Sequence, residues 1–184
     1  DYAKHGIAMM ENWRKYAPPG ASAEEVGEFV ATQLPTSLQW KDIETFRKLW
    51  PRPLILKGIM RTDDAQRAAD IGVDGLIVSN HGARQLDRAP SALDVLPHLD
   101  AAVGDRMTLM IDGGFRRGTD IFKALALGAD AVGIGRPYLW GLGSFGQEGV
   151  ETVLDILTRE LEIIMKQAGT LSIEEITRDT VITE

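Results

Sequence analysis

Cysteine is absent from this 184-residue sequence, which removes disulfide frameworks, thiolate nucleophiles and cysteine-held metal or iron–sulfur sites and leaves the redox compartment open. Histidine is scarce, with only His5, His81 and His98, and no histidine–carboxylate spacing suggests a metal. No window is a run of Lys and Arg, and the net charge is −7, so the basic footprint of a nucleic-acid binder is missing. Also lacking is any stretch of about 18 apolar residues to span a bilayer. The opening "DYAKHGIAMM" has no apolar core of a secretory signal, and a cytoplasmic location is the expectation. The first residue is Asp rather than Met, which raises the expectation of a processed or cleaved chain.

What is present is enough apolar material for a core. Hydrophobic residues make up 44% of the sequence, and a domain of this size buries roughly 70% of its unfolded surface. Four short apolar runs stand out: "LILKGI" from Leu54, "GLIVSN" from Gly75, "TLMIDG" from Thr108 and "AVGIGR" from Ala131, their starts 21, 33 and 23 residues apart. Each is nearly continuous rather than alternating, the pattern of parallel strands buried on both faces. Helical patterns lie between them. "TDDAQRAADIG" has Thr62 as its expected N-cap and Gly72 as its stop; "SALDVLPHLDAAVG" runs from Ser91 to Gly104; "TDIFKALALG" has Thr119 as cap and Gly128 as stop. A longer helix is expected over residues 148–168, with Val150, Val153, Leu154, Leu157, Leu161 and Ile164 at helical spacing.

Strand and helix alternating at these lengths give right-handed βα units on a parallel sheet. Doubly wound and barrel architectures both fit. A doubly wound nucleotide fold favours a glycine fingerprint after its first strand, whereas "DGGFRRG" and "GIGRP" follow the last two strands here. Phosphate sites in that position are a habit of the (β/α)8 TIM barrel. The expected fold is therefore α/β, a TIM barrel of which this chain supplies about strands five to eight. Residues 1–39 read as a loop and a helix over the barrel mouth, the helix beginning near Ser22, and residues 40–184 as the C-terminal half of the barrel. "WKDIETFRKLW" reads as a helix ahead of the first strand, with Trp40, Phe46 and Trp50 as packing residues.

Several residues stand where chemistry is done. Lys57 lies in an apolar strand, where an ammonium group is costly unless something anionic meets it; a stem that snorkels from the strand end reads equally well. Ser79 and His81 are two apart after the second strand, so an extended backbone aims both to one face at a strand's C-terminal end, where barrel enzymes place their sites. A single histidine is more often structural than catalytic. Followed by Arg84, however, His81 offers a base beside a planar fork matched to a carboxylate. Asp87 and Arg88 read as a surface ion pair. "DGGFRRGTD" joins Asp112 to Gly113, Gly114, Phe115 and Arg116 ahead of a helix, so that backbone N–H groups and a helix N-terminus converge as for a phosphate. A tight loop would read the same way, but Gly133, Gly135 and Arg136 after the next strand strengthen the phosphate reading.

These motifs, with the closing "LSIEEIT", resemble the FMN-dependent α-hydroxy-acid oxidases and dehydrogenases that act on glycolate, lactate or mandelate, from about Trp40 to Ile176. The resemblance implies FMN across the mouth of the barrel, with Lys57 at the pyrimidine end of the ring and Ser79 in contact with it. It makes His81 the base and Arg84 the clamp on the substrate carboxylate. Asp112, Gly113, Gly114, Phe115 and Arg116 then flank the ribityl chain and phosphate, and Gly135 and Arg136 complete the phosphate cup. The implied reaction oxidises an (S)-2-hydroxy acid to the 2-oxo acid, His81 taking a proton from the α-carbon or from the hydroxyl.

The family's N-terminal half carries further flavin contacts, a tyrosine, a second arginine and the carboxylate that orients the histidine, and no matching motif occurs here. A companion N-terminal fragment of the same barrel is thus expected as a partner, together with the small-molecule substrate and, from the resemblance, a homotetramer. Some members attach peripherally to membranes through the loop near this N-terminus, yet "PPGASAEEVGEF" is acidic and supports an anionic lipid surface weakly. Two other readings compete: a non-catalytic half-barrel fragment, and another phosphate-binding barrel enzyme. Bound flavin that is bleached by a 2-hydroxy acid would separate them.

Overall fold

A computed structural model describes residues 2–33 and 37–182. Asp1 and residues 34–36, which fall in the first expected region, and residues 183–184 lie outside the described residues. The chain divides into two units, Asp1–Asp42 and Ile43–Glu184. The first contains α1 (Tyr2–His5), α2 (Glu11–Arg14) and α3 (Ala23–Gln33). Ser22 starts α3 as expected: its Oγ accepts from the Glu25 N–H at 3.2 Å while its own N–H donates to Glu25 Oε2 at 2.7 Å. This reciprocal pair satisfies two backbone or side-chain groups at an otherwise open helix end.

After α4 (Trp40–Leu49), the second unit alternates β1 (Ile55–Lys57), α5 (Thr62–Ile71), β2 (Gly75–Val78), α6 (Ala92–Val103), β3 (Thr108–Asp112), α7 (Gly118–Ala126), β4 (Ala131–Gly133) and α8 (Arg136–Ala168). All neighbouring strands pair in parallel, in the order β1-β2-β3-β4. That sequential order is the order of consecutive barrel strands and lacks the reversal that defines a doubly wound sheet. Parallel pairing puts every strand's C-terminal end on the same edge, so the segments after Lys57, Val78, Asp112 and Gly133 gather there.

The sheet is covered unequally. Leu76, Val78, Leu109 and Ile111 are fully buried, and α6 packs on β3 while α7 packs on β4. Burial of each such side chain stabilises by about 1.5–3 kcal/mol. The alternate row, Lys57, Ile77, Met110 and Ala131, is in register across all four strands and stays partly or largely exposed. The expectation of strands buried on both faces therefore holds on one face only. Near-continuous apolar sequence reports what both faces suit, not what covers each of them.

Helix ends depart from the sequence reading in detail. Gly72 closes α5 in the left-handed conformation (φ 87°), and Ser91 Oγ accepts from the Asp94 N–H at 3.1 Å to open α6, both as expected. Thr62 and Thr119, in contrast, are inside the first turns of α5 and α7, with Arg61 and Arg117 at the cap positions. Asp63 and Asp64 at one start, and Asp120 at the other, answer the positive helix end instead of a threonine hydroxyl. The expected 148–168 helix is the second part of α8, which begins at Arg136 and breaks at Phe145 and Gly146. Phe46 and Trp50 are 46% and 49% exposed, contrary to a packing role, and the Trp50 indole N–H donates to the Pro53 carbonyl at 3.0 Å.

The contact between α7 and α8 is close enough to exclude a side chain at Gly118, where a Cβ would overlap the backbone of Glu160 and Leu161. Glu160 Oε2 accepts from the Gly118 N–H at 2.8 Å and Oε1 from Arg117 at 2.8 Å. The Gly118 N–H, followed by the Arg117 guanidinium, holds the Glu160 carboxyl below its ordinary value. A carboxyl lowered in the folded state contributes stability that is complete above its unfolded value near 4.3 and is lost as pH falls through the folded one. Glu160→Gln is thus expected to lower the melting temperature at pH 7, with a difference from the parent that shrinks progressively as pH falls from about 4.3 toward and through the lowered folded value; thermal denaturation from pH 7 downward checks this, and a pH-independent difference would refute it.

Candidate functional site

One cavity of about 330 Å³ opens at the C-terminal edge of the sheet. Its walls come from the segments after all four strands, and it lies within the roughly 300–1,000 Å³ range of small-molecule sites. Lys57, Ser79, His81, Arg84, Asp112, Gly113, Gly114, Phe115, Arg116, Gly135 and Arg136 all line it, so the structure gathers every site residue singled out in the sequence. Gly82, Gly133, Ile134 and Pro137 line it as well. Four cationic side chains face one carboxylate there, in a chain whose net charge is −7. The cavity is a local field for an anion.

Lys57 is the last residue of β1, its side chain 44% exposed, and its ammonium is paired with Asp112 at the end of β3. Both sequence readings of Lys57 are met in part: its side chain reaches out from the strand end, and an anionic partner stands two strands away. Lys57 Nζ also donates to Ser79 Oγ at 3.2 Å, and the same hydroxyl accepts the His81 backbone N–H at 3.1 Å. Ser79 is only 3% exposed whereas His81 is exposed. The pleat argument that placed them on one face fails because β2 ends at Val78 and the chain turns at once.

That turn is unusual. His81, Gly82 and Ala83 have φ of 58°, 65° and 56° in succession, and Arg88 has φ 59°. Left-handed backbone costs roughly 1–2 kcal/mol at a residue with a Cβ and normally occurs singly. The strain sits in the segment that presents the imidazole and the Arg84 guanidinium, a common place for it. Asn80 caps the turn: its Oδ1 accepts the Gly82 N–H at 3.0 Å, and its Nδ2 donates to the Pro90 carbonyl at 3.1 Å. Sequence reasoning passed over Asn80, although an asparagine two residues before a glycine is a signal for such a turn.

The glycine-rich segments leave room of the kind a phosphate ester needs. Gly113 and Gly114 have φ of 110° and 90°, and a Cβ added at Gly114 or Gly135 would meet nothing within 4 Å. Gly135 stands at the start of α8, followed by Arg136 and by Pro137 in the first turn, so the positive end of that helix faces the cavity. The start of α7 differs from the sequence expectation. The N–H groups of Arg116 and Arg117 donate to Asp120 Oδ2 at 2.9 and 3.0 Å, and that of Gly118 to Glu160, so carboxylates of α7 and α8 cap it. The Arg116 guanidinium is nevertheless held at the cavity, 5.7 Å over the Trp140 ring, a residue that sequence reading did not single out. These residues fit a flavin mononucleotide: cations and a helix start for the phosphate, open glycines beside it, and Lys57 and Ser79 farther along the edge.

A family model described as FMN-dependent dehydrogenase matches residues 4–183. The chain is 48% identical over 159 residues to a peroxisomal (S)-2-hydroxyacid oxidase of Arabidopsis thaliana, covering 86% of this chain and 44% of that protein. It is 51% identical over 150 residues to the pre-mycofactocin synthase of Mycobacterium tuberculosis, covering 82% of this chain and 37% of that one. A crystal structure of the monotopic membrane protein (S)-mandelate dehydrogenase superposes with a TM-score of 0.89 at 38% identity, over 100% of this chain and 48% of that chain. The chain therefore spans about half the length, or less, of the proteins it matches, and its four βα units form part of a barrel.

Proposed function

The chain belongs to the FMN-dependent dehydrogenase family, and from that premise we propose that it carries the FMN-binding half of an active site that oxidises an (S)-2-hydroxy acid to the 2-oxo acid. The observation that supports this most is the convergence of His81, Arg84 and Lys57 on one cavity with the open glycines and the start of α8. When bound, FMN would supply the acceptor for the two electrons that leave the substrate and for the hydrogen that His81 does not take. Arg84 binds the substrate carboxylate and so orients the α-carbon toward His81. His81 takes one proton, from the α-carbon or from the hydroxyl, and returns it to solvent. Lys57, anchored by Asp112 and Ser79, places a positive charge at the ring, and Arg116 and Arg136 hold the phosphate.

The remaining strands of the barrel, from a companion N-terminal segment, complete the site in this reading, and the whole assembles as a homo-oligomer. Among the described residues no helix is long and apolar enough to cross a membrane. A cytoplasmic protein with peripheral membrane contact is proposed, the contact supported by the monotopic relative and by Ile7 and Tyr16, which are 62% and 61% exposed. The decisive experiment is anaerobic addition of lactate, glycolate or mandelate to the yellow protein. Bleaching of the flavin is expected; a colourless protein, or flavin that stays oxidised with every 2-hydroxy acid, overturns the reading.

The clamp has its own test. Lysine keeps the charge of Arg84 but loses the planar fork that pairs two N–H groups with two carboxylate oxygens. Arg84→Lys is expected to raise KM for the 2-hydroxy acid by about 10–100-fold, with a smaller change in kcat, because a hydrogen bond to a charged group contributes about 1.5–3 kcal/mol. Steady-state kinetics checks it, and an unchanged KM would remove Arg84 from that role.

A further inference from the structure

We propose that Asn80 is a positioning residue for both His81 and Arg84: its amide ties the left-handed turn to the far end of the loop and so fixes base and clamp before substrate arrives. The inference rests on the proposed roles of those two residues, but the geometry behind it does not.

Two of the three residues in the turn, His81 and Ala83, carry a Cβ at positive φ. Backbone bonds inside the turn are few: Ala83 N–H to the Asn80 carbonyl at 3.0 Å and Arg84 N–H to the His81 carbonyl at a long 3.4 Å. A strained turn closed by so little relaxes unless something outside it holds it. Ser79 Oγ grips the entry through the His81 N–H. Gly82, the middle residue, is held by Asn80 Oδ1. The other end of the same amide reaches Pro90, so one side chain closes the whole segment that carries His81 and Arg84. Proline has no N–H to offer and its carbonyl needs a donor, which Asn80 Nδ2 supplies. Asn80 is not among the residues that line the cavity. Its effect on chemistry passes through the residues it places, and near-attack geometry is sensitive to small displacements of such groups; its Oδ1 also borders Gly113, 3.9 Å from where a side chain there would begin, so retained FMN in the variants separates the turn from that segment.

The two halves of the amide can be separated. Asn80→Ala removes both contacts, whereas Asn80→Asp keeps an acceptor for the Gly82 N–H and gives up the donor to Pro90. In the flavin-loaded protein, Asn80→Ala is expected to retain FMN, to slow flavin reduction at saturating substrate about tenfold or more, and to raise KM. Amide hydrogen exchange, resolved at single residues by fragmentation mass spectrometry, should quicken at Gly82 and Ala83. Asn80→Asp should keep slow exchange at Gly82 but quicken it over residues 84–89, and should raise KM more than it lowers kcat, because Arg84 is then freer than His81.

Parental exchange and parental kinetics in Asn80→Ala overturn the proposal. So does Asn80→Asp exchanging at Gly82 as fast as the alanine variant. Should the alanine variant fail to fold, the aspartate variant decides: parental exchange across residues 84–89 refutes the tie. If the parent's flavin is reduced by no 2-hydroxy acid, the proposed function fails, while the exchange pattern still settles whether Asn80 holds the turn.

Discussion

Replacing His81 with glutamine is expected to leave FMN bound and to slow its reduction by a 2-hydroxy acid by about 10² to 10⁴-fold, the usual contribution of a positioned base. The effect is specific because the cavity offers few alternatives. Asp112 is engaged with Lys57, and Arg84, Arg116 and Arg136 accept no proton. Glutamine preserves size and hydrogen bonding but cannot take up a proton. The backbone hold on position 81, from its own N–H to Ser79 Oγ, does not involve the ring, so the turn has no reason to change. Flavin content is read from the visible spectrum, and the rate from anaerobic stopped-flow mixing at saturating substrate. Rapid reduction in His81→Gln would move the base to another residue; loss of flavin would mean that the ring serves the cofactor site instead.

The parts of this site that the sequence disclosed are those set by local pattern. Four apolar runs separated by helical periods determine a parallel sheet, and parallel strands put Lys57, Ser79, Asp112 and Gly135 near one edge whatever the detailed packing. Long-range pairing was only half legible. An ammonium group in an apolar strand invites an anion or a stem that snorkels out, and nothing local says that Lys57, 44% exposed, is also paired with Asp112, 55 residues away. Helix starts were misread for a physical reason: threonine is a good cap, yet Arg61 and Arg117 took the cap positions while Asp63, Asp64 and Asp120 answered the helix dipole. At the start of α7 the same carboxylate occupies N–H groups that had been assigned to a phosphate, and Asp120, three residues after Arg117, was the available sign.

The turn at His81 was the least legible feature. Periodicity describes extended and helical backbone, and it has no term for three residues in the left-handed region. Such a run appears in a sequence only through what holds it, here an asparagine before the turn and a proline after it. That left-handed turn presents the proposed base and clamp, three residues apart, to one cavity.

Lys57→Met is expected to give the second large effect, a loss of about 10² to 10³ in the rate of flavin reduction, the range seen when one preorganised electrostatic donor is removed. Methionine approximates the lysine stem and removes the charge together with the hydrogen bond to Ser79 Oγ. Two consequences follow from the geometry. In the proposed site the positive charge beside the ring disappears, and the Asp112 carboxylate, 31% exposed, is left facing the cavity without its counter-ion. Both make FMN harder to reduce, so its midpoint potential should fall along with the rate. A double variant, Lys57→Met with Asp112→Asn, removes the unmasked negative charge and should recover part of the rate while leaving the potential below the parent's. Spectroelectrochemistry and stopped-flow reduction on the three proteins separate the terms. A Lys57→Met protein with parental potential and parental rate would show that the ammonium serves the β1–β3 contact and not the flavin. A double variant no faster than the single would show that Asp112 contributes nothing through its charge, and that the cation alone carries the effect.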